Sequence, residues 1–482
     1  MKGILRKIGK HKLLPVVFSV ISLLAASLIV GYVTSFTIAI FSLVCGLQFI
    51  TGKSEKLEYY LSGLEVKETS KENLVNKYEQ KINFAASLVP LLTSQLGLFV
   101  LPIVLLYIAI SLIVAWPVIL KLFNRKKIRA HAVKVLEAER PTVAVYVTGM
   151  KGVAYQINQW LPVLEKLDQP VIIILREADI FSGMLPTNIL TVTARTQIDL
   201  EAILGDTTSV KKVLYPANTM KNVQALRYHH LDHIFINHGE SDKAVNQSKL
   251  LMAYDYLFVA GPLSEERLRA AGLPLREGQV IHVGRPQAEM ALNYRSKVDK
   301  IETILYAPTW EGYVKSVDYS SIGELGYKLC VDIINDKRYN LIFKPHPYTG
   351  AINPDHKYWL NEITKLCVKY DIKIYSTSDS IHDAMNLSDI LICDISSVMN
   401  EYLVTGKPII LCNTQELTIE SLNIRYPTSC AATIVNENVN IIKTISEIEG
   451  EDKVYEQRLK SRKYSLGDFE VDPMMKFLEG LD

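Results

Sequence analysis

Short apolar runs that alternate with helical patterns are the feature that most constrains the fold of this chain. From residue 141 onward, four such runs are rich in β-branched or aromatic residues and end in glycine, proline or charge: TVAVYVTG, VIIILRE, HIFINHG and YLFVAGP. Helix candidates lie between them, for example at residues 156–167 and 264–271. This alternation predicts a parallel β-sheet that is covered by helices on both faces.

A second series of the same kind follows a polar break at about residues 293–300 (NYRSKVDK). Its strand candidates are TILYAPTW, NLIFKPHP, IKIYST, ILICDISS and PIILCN, separated by helix candidates that include residues 322–335 and 358–370. We therefore predict an α/β protein with two tandem domains and a cleft between them, over residues 131–293 and 300–482.

Residues 1–130 have a different composition. No charged residue occurs from Leu13 to Gly52 or from Ile82 to Leu120, and one membrane crossing needs about 20 apolar residues. The sequence therefore predicts two or four membrane spans, one of them at about residues 97–120, with a polar connector at residues 51–81. Basic residues flank both ends of this region, which predicts a multi-pass cell-membrane protein whose large domain is cytoplasmic. The spans then either only anchor the chain or help to handle a lipid-linked substrate.

Charge and cysteine usage exclude several classes of protein. The net charge of +2 gives no indication of a nucleic-acid partner. The six cysteines are scattered without a C-x-x-C pair, which argues against a zinc site or a disulfide framework and is typical of a reducing compartment.

Polar side chains gather where the predicted strands end, which is where ligands bind in parallel α/β sheets. In LICDISSVMNEYLVTGKP, a strand ends at Asp394, and Ser396 and Ser397 open a helix. Free backbone N–H groups and hydroxyls at such a position favour phosphate, although simple helix capping is the alternative. Glu401, one turn along, can reach a ribose hydroxyl or lie in solvent.

The segment IFKPHP places Lys344 just before a proline and His346 between two prolines. Proline restricts the backbone, so the segment predicts a rigid, non-helical strand exit. A cation and an imidazole held there can bind a pyrophosphate and stabilise charge on a leaving group. The alternative is a surface turn with an incidental histidine.

Two further strand ends carry candidate phosphate ligands. In YAPTWEG, Thr309 can donate to a phosphate, and Trp310 either walls the cleft or packs between domains. In HVGRPQ, Arg285 either contacts phosphate or ties the two domains together.

The segment FINHGESDKA places His238 directly after a buried strand, and Gly239 allows close approach of another backbone or a substrate. A histidine there is suited to act as a general base for an acceptor hydroxyl. Asp242 or Glu240 can orient its ring, and Lys243 can meet acceptor phosphate. The alternative is a structural histidine followed by a charged turn.

Together these motifs resemble the CDP-glycerol glycerophosphotransferase family, which builds teichoic acid and related polyol-phosphate polymers. The resemblance runs from about Pro141 to about Asn413. It rests on His238-Gly239, on Lys344-Pro345-His346-Pro347, and on Asp394-Ile395-Ser396-Ser397 with Glu401 and Gly406-Lys407-Pro408. After its HG motif this chain has Glu240-Ser241-Asp242-Lys243, where better-known members have Thr-Pro.

The resemblance implies a GT-B fold of two Rossmann-like domains, with the nucleotide mainly on the second, the acceptor on the first, and neither a metal nor a cofactor. It implies that His238 is the general base, that the acceptor hydroxyl attacks the β-phosphorus of CDP-glycerol, and that CMP leaves. The residues then expected at the donor are His346, Lys344, Thr309, Arg285, Asp394, Ser396, Ser397 and Glu401. Those expected at the acceptor are Gly239, Asp242 and Lys243.

The function expected from these features is a membrane-anchored transferase of glycerol phosphate or a related polyol phosphate. Its donor would be CDP-glycerol or another CDP-polyol, and its acceptor a lipid-linked glycan or a teichoic-acid-like polymer. One alternative is a GT-B glycosyltransferase that uses a nucleotide sugar for a cell-surface glycan. Another is a non-catalytic membrane scaffold that keeps a degenerate transferase domain.

Overall fold

The computed structural model describes residues 19–23, 35–52, 63–67, 86–87, 89, 101–149, 152–240, 248–291, 300–312, 317–375, 379–467 and 472–481. These residues form two compact units. Unit 1 comprises Met1–Glu139, Glu177–Ser182 and Thr191–Ala202, and unit 2 comprises Arg140–Arg176, Gly183–Leu190 and Ile203–Asp482.

The described strands are β1 (Glu65–Val66), β2 (Val143–Val147), β3 (Val171–Leu175), β4 (Leu190–Thr193), β5 (Lys212–Tyr215), β6 (Asp232–Phe235), β7 (Tyr256–Val259), β8 (Val280–His282), β9 (Thr303–Ala307), β10 (Asn340–Phe343), β11 (Lys373–Ile374), β12 (Ile390–Cys393), β13 (Ile409–Cys412) and β14 (Thr433–Val435). The described α-helices are α1 (Ser35–Gly52), α2 (Leu101–Glu139), α3 (Ala154–Asn158), α4 (Leu161–Leu164), α5 (Gln197–Leu204), α6 (Val223–Leu226), α7 (Pro262–Ala270), α8 (Glu324–Asn335), α9 (Pro354–Lys369), α10 (Ile381–Leu387), α11 (Ser397–Tyr402), α12 (Ile419–Arg425), α13 (Ile441–Gly450), α14 (Tyr455–Leu466) and α15 (Pro473–Leu481). Short 3₁₀ helices occur at Ala178–Gly183, Met220–Asn222, Lys249–Ala253, Pro286–Ala291, Leu403–Thr405 and Pro427–Ala431.

In unit 1, helices α1 and α2 pack through a small apolar cluster that includes Ile40, Val44, Val104 and Tyr107. Strand β1 pairs antiparallel with β4. Across the described residues, no helix is both long and apolar enough to span a bilayer. The spans predicted from residues 13–52 and 97–120 are therefore not confirmed, and residues 13–18, 24–34 and 97–100 of those stretches lie outside the described ranges. The position near Leu120, predicted as the end of a span, is the middle of helix α2, which continues through the basic residues to Glu139.

Unit 2 contains two sheets of parallel strands. In the first, six strands pair in the order β3-β2-β5-β6-β7-β8. The second has the order β11-β10-β9-β12-β13-β14, with every pair parallel. Counted within that sheet, the order is 3-2-1-4-5-6, which is the order of the dinucleotide-binding Rossmann fold. The predicted α/β architecture is confirmed.

Both faces of the second sheet are buried, as its near-continuous apolar strands require. On β9, Leu305 belongs to one apolar cluster and its neighbour Ile304 to the cluster on the opposite face. The same alternation places Ile342 and Phe343 of β10 on opposite faces. With both faces covered, the edge at the carboxyl ends of these strands remains for polar side chains.

The end of the chain returns to the first sheet. Phe477 of α15 lies 5.2 Å from the ring of Trp160 and 5.8 Å from that of Phe258, measured between ring centroids. The predicted division near residues 293–300 falls on residues 292–299, which the structure does not describe, so it stays a prediction.

Candidate functional site

The strand ends of the two sheets of unit 2 meet at Gly239. A Cβ atom built on Gly239 would lie 2.9 Å from Cβ of Ser397 and 3.4 Å from Oε1 of Glu401, so no larger residue fits without a shift. The residue two positions earlier, Asn237, has a left-handed backbone (φ 52°), a conformation that asparagine tolerates. Its side chain accepts from the N–H of His238 (2.8 Å) and donates to the carbonyl of Gly239 (2.9 Å), which fixes the turn.

His238 is held so that one ring nitrogen can accept a proton. Its Nδ1 lies 2.8 Å from the carbonyl oxygen of Pro216. A carbonyl only accepts hydrogen bonds, so Nδ1 carries the proton and Nε2 keeps its lone pair in the neutral ring. Burial lowers the pKa of His238, opposed by the hydrogen bond to Pro216, while the charge of Arg285 lowers it further. The neutral, proton-accepting form is therefore favoured.

His346 is held in the opposite way. Its Nδ1 accepts from the backbone N–H of Tyr348 (3.1 Å), so the neutral ring carries its proton on Nε2. The ring stacks on Trp310, with 5.9 Å between centroids and 18° between planes. His346 is therefore oriented as a hydrogen-bond donor through Nε2.

Tyr155, at the start of α3, lies between the two histidines. Its ring meets that of His238 edge-on at 5.5 Å and that of His346 edge-on at 6.3 Å. The sequence analysis did not single out Tyr155, because only the fold brings α3 to both histidines. The two predicted catalytic histidines, 108 positions apart in the numbering of the chain, thus share one aromatic neighbour.

The turn that carries His346 is fixed by Glu311, a second residue that the sequence analysis did not identify. Glu311 is 4% exposed and accepts from the backbone N–H groups of Gly350 (2.9 Å), Ile352 (3.0 Å) and Asn353 (3.0 Å). Burial by itself raises the pKa of Glu311, but these backbone hydrogen bonds lower it overall. An ionised carboxylate with three backbone donors is a rigid anchor for the segment after His346.

Arg285 and Glu401 form a buried ion pair. Nη2 of Arg285 lies 2.9 Å from Oε1 of Glu401, and the two side chains are 3% and 4% exposed. The same nitrogen donates to the carbonyl of His238 (2.7 Å). His382 places Nε2 3.5 Å from the other oxygen of Glu401. Burial raises the pKa of Glu401, but the charge of Arg285 and the neighbouring His382 lower it overall, so Glu401 stays ionised.

Of the two interpretations for Arg285, this geometry favours a structural tie over a contact with phosphate. The ion pair joins the segment after β8 to helix α11, and it bonds directly to the main chain of His238. Since both charges face each other away from solvent, a positioning role fits Arg285 and Glu401 better than contact with a nucleotide phosphate or ribose.

Asp394 also faces the interior. It is fully buried, and its Oδ2 accepts from the backbone N–H groups of Thr309 (2.8 Å) and Ser321 (3.1 Å). Thr309 itself is 3% exposed. Asp394 therefore links the ends of β9 and β12, and the structure gives it internal partners where the sequence suggested a donor ligand.

Ser396 and Ser397 are placed as predicted at the start of α11. Ser396 has extended backbone angles at the N-cap position, and its hydroxyl makes no capping hydrogen bond. Its Oγ is buried and has no hydrogen-bond partner within the described part of the chain. Ser397 is half-buried. The hydroxyl of Ser396 therefore neither caps helix α11 nor bonds to any other described polar group.

Lys344 is half-buried, with Nζ 3.1 Å from the carbonyl oxygen of Asp379. Burial lowers its pKa, opposed by the charge of Asp379. Lys344 follows directly on β10, two residues before His346, as the sequence predicted.

The predicted acceptor side is described only in part. Glu240 turns away from the imidazole of His238, because its carboxylate accepts from Ser264 (2.6 Å) and from the backbone of Ala260 (3.4 Å). The ring partner of His238 is the Pro216 carbonyl, so Glu240 does not orient it. Asp242 and Lys243 lie outside the described residues, and their assignment to the acceptor stays a prediction.

Within the described ranges, no group of three or more His, Cys, Asp or Glu side chains is arranged to hold a metal ion. The prediction that the reaction needs no metal is not tested by this observation.

The model of the family described as CDP-Glycerol:Poly(glycerophosphate) glycerophosphotransferase matches residues 218–469, which is more than half of the chain. The chain belongs to this family. It is a glycerophosphotransferase-type enzyme, as the motifs predicted. The match covers both histidines, the Arg285–Glu401 pair and the Asp394–Ser397 segment, but it begins after Tyr155 and Pro216.

The similarity of this chain to solved structures is weaker than its match to the family model. The wall teichoic acid polymerase TagF has a TM-score of 0.47 at 16% identity, covering 75% of this chain and 94% of that one. MnaA from S. aureus, in a co-structure with UDP, has a TM-score of 0.47 at 14% identity, covering 70% and 96%. A glycosyltransferase from Rickettsia africae has a TM-score of 0.43 at 14% identity, covering 70% and 97%. No curated protein sequence matches the chain significantly. Likenesses this weak assign no substrate.

Proposed function

We propose that this enzyme transfers glycerol phosphate from CDP-glycerol to the terminal hydroxyl of a poly(glycerol phosphate) acceptor and releases CMP. The observation that carries the proposal is the pair of opposite tautomers at His238 and His346. One ring presents a lone pair at Nε2 and the other an N–H at Nε2, and both rings contact Tyr155. A phosphoryl transfer to a hydroxyl needs one group of each kind.

In the proposed step, the acceptor oxygen forms a bond to the β-phosphorus of CDP-glycerol, and the bond from that phosphorus to the bridging oxygen breaks. Nε2 of His238 takes the proton of the acceptor hydroxyl. CMP leaves with the electron pair of the broken bond. The Nε2 proton of His346 donates to a phosphate oxygen on which negative charge develops, and Lys344 and the hydroxyl of Ser396 contribute further donors.

The neighbourhood of His238 supports its role as the base. The lowered pKa keeps the ring neutral at neutral pH, and the Pro216 carbonyl fixes the tautomer that leaves Nε2 available. The buried Arg285 holds the His238 main chain in place. Burial and the charge of Arg285 lower the pKa of His238 overall, although the charge of Glu401 raises it.

The test is a donor panel on the purified full chain, with CMP or nucleoside diphosphate release as the readout. CDP-glycerol, CDP-ribitol and a UDP-sugar are each supplied with a synthetic glycerol phosphate oligomer. We expect CMP release with CDP-glycerol and extension of the oligomer by one glycerol phosphate unit. Turnover of the UDP-sugar alone would replace the proposal with the glycosyltransferase alternative, and turnover of CDP-ribitol alone would correct the polyol.

The lipid-linked acceptor and the membrane location remain predictions from the sequence. Extension of the oligomer without added membranes would show that a lipid is not required for the chemical step. An absolute need for membranes would support the lipid-linked acceptor.

A further inference from the structure

Unit 1 contains a cavity of about 420 Å³ that plays no part in the proposed reaction. Its walls come from the segment around β1, the basic part of helix α2 and the start of helix α5. Leu64, Ile128 and Ile198 contribute apolar surface, and four cations line it: Lys121, Arg125, Lys126 and Arg129.

Two acidic side chains line the same cavity, and each already has at least one cationic partner. Glu65 accepts from Lys121 at 3.2 Å and from Lys67 at 3.2 Å. Asp199 is 2% exposed and is paired with Arg129. The carboxylates of Glu65 and Asp199 therefore offset only part of the positive charge of the four lining cations.

Further hydrogen bonds also keep the Asp199 carboxylate from pairing with other cations of the cavity. Its Oδ2 accepts from the backbone N–H of Thr196 (2.9 Å) and from the Thr196 hydroxyl (2.6 Å), and the Asp199 N–H donates back to that hydroxyl (3.2 Å). This reciprocal pair is a capping box at the start of α5. Asp199 thus fixes Arg129 and the helix end, and cannot also neutralise Arg125 or Lys126.

Arg125 and Lys126 are the uncompensated charges. Both are exposed, both line the cavity, and the ion pairs among the described residues leave both without a carboxylate partner. A cavity with apolar walls and two uncompensated cations suits an anion attached to an apolar group.

The apolar half of the same helix indicates where that group comes from. Helix α2 exposes large apolar side chains before and among its basic residues, including Leu112 (52%), Ile113 (59%), Trp116 (55%) and Phe123 (85%). Exposed aromatic and aliphatic side chains followed by clustered Lys and Arg are the pattern that proteins present to anionic lipid.

We propose that this cavity binds the phosphate head group of an anionic lipid, with Arg125 and Lys126 on the phosphate and the apolar walls on the first carbons of the lipid. The proposal concerns unit 1 alone and does not depend on the transfer reaction. It assigns a ligand of stated chemistry to a region that precedes the family match at residues 218–469.

The test is a titration of the full chain with dihexanoyl phosphatidylglycerol, followed by calorimetry. Dihexanoyl phosphatidylcholine and glycerol 3-phosphate are titrated in parallel. The lining pair is removed in Arg125→Ala/Lys126→Ala. The matched control is Lys127→Ala/Lys134→Ala, which removes two exposed cations of the same helix that do not line the cavity.

We expect wild type and control to bind phosphatidylglycerol alike and more tightly than phosphatidylcholine. The lining variant should lose affinity by roughly 30-fold, since each cation near a lipid phosphate contributes about a factor of five. An equal loss in both variants would overturn the proposal, because only unspecific attraction to a basic helix would remain. Binding of glycerol 3-phosphate as tight as that of phosphatidylglycerol would overturn the lipid source of the phosphate.

Discussion

His238 and His346 carry their ring protons on different nitrogens, because each Nδ1 is bonded to a different kind of backbone group. His238 faces a carbonyl and His346 faces an N–H. Neither contact is visible in the HG or K-x-H-P motif, since Pro216 precedes the first motif by 22 positions and Tyr348 follows the second. At the residue scale, the backbone therefore decides on which ring nitrogen each neutral histidine carries its proton.

The pH dependence of the reaction should report the lowered pKa of His238. A base must be neutral to act, and burial moves the loss of its proton to lower pH than the ordinary histidine value of about 6.5. We expect kcat/KM for CMP release to hold as the pH falls to about 6.5 and to decline only below it. An acid limb centred above pH 7, in protein that stays folded by circular dichroism, would contradict this assignment.

The Arg285–Glu401 pair should affect stability and kcat rather than donor affinity. Arg285→Ala leaves the Glu401 carboxylate buried with a lost partner, which typically costs about 3–5 kcal/mol in the free energy of unfolding. We expect kcat to fall, because the His238 carbonyl also loses its donor, while KM for CDP-glycerol changes little. Urea unfolding and initial rates measure the two effects.

The control for Arg285 is Arg269→Ala, which breaks a surface ion pair with Glu265 in which Arg269 is 59% exposed. Such pairs contribute less than about 1 kcal/mol. A large rise in KM for Arg285→Ala with unchanged kcat would instead favour direct contact with the donor.

At the element scale, the turn after β10 and the turn after β6 are held by different devices. Glu311 fixes the first through three backbone N–H groups that lie 39 to 42 positions further along the chain. Asn237 fixes the second through two bonds within its own turn. Glu311 thus restricts the segment that follows His346. Asn237 restricts the turn that contains His238 and Gly239.

The Glu311 anchor should make part of the stability depend on pH. The pKa of Glu311 is lowered in the folded chain, so its contribution is present above its usual pKa of 4.5 and is lost as the pH falls through the lowered value. We expect Glu311→Gln to lower the free energy of unfolding by about 1–3 kcal/mol at pH 7 and by less near pH 3. Urea unfolding at both pH values tests this, with Glu302→Gln at an exposed pair as the control. An equal loss at the two pH values would exclude an ionised anchor.

The close approach of the β6 turn to α11 should make Gly239 intolerant of a side chain. A methyl group there would meet Ser397 at 2.9 Å and push the two strand ends apart. We expect Gly239→Ala to reduce kcat/KM by about 10²-fold, since small displacements of reacting groups have effects of that size. The control is Gly450→Ala, because a Cβ atom at Gly450 would meet nothing within 4 Å. Near-equal rates for the two variants would contradict so close an approach of Gly239 to Ser397.

At the scale of the whole molecule, local patterns predicted the layers of unit 2 but not its long-range contacts. Each apolar run named in the sequence analysis contains a strand, because buried parallel strands are apolar throughout. The run LTVT of β4 and the run KVLY of β5 are too short and too polar at their edges to stand out. The helix predicted at residues 156–167 is interrupted, because a new helix begins at Leu161 with Pro162 in its first turn.

The candidate site was predictable in its motifs and not in its geometry. The HG, K-x-H-P and D-x-S-S motifs identified the strand ends, since polar residues after apolar strands are a local signal. Tyr155 and Glu311 carry no such signal, and the Arg285–Glu401 contact joins positions 116 apart in the sequence. Such contacts join residues that are far apart in the sequence, so the partners of Arg285, Glu401 and Asp394 had to come from the structure.

The most direct test of the account compares CMP release from CDP-glycerol by wild type, His238→Ala and the exposed-histidine control His229→Ala, with donor binding measured by calorimetry. The account predicts that all three bind the donor, that the control turns over normally, and that His238→Ala is slower by about 10²- to 10⁴-fold. Turnover by His238→Ala at the wild-type rate, in protein that is folded and binds the donor, would contradict the assignment of His238 as the base.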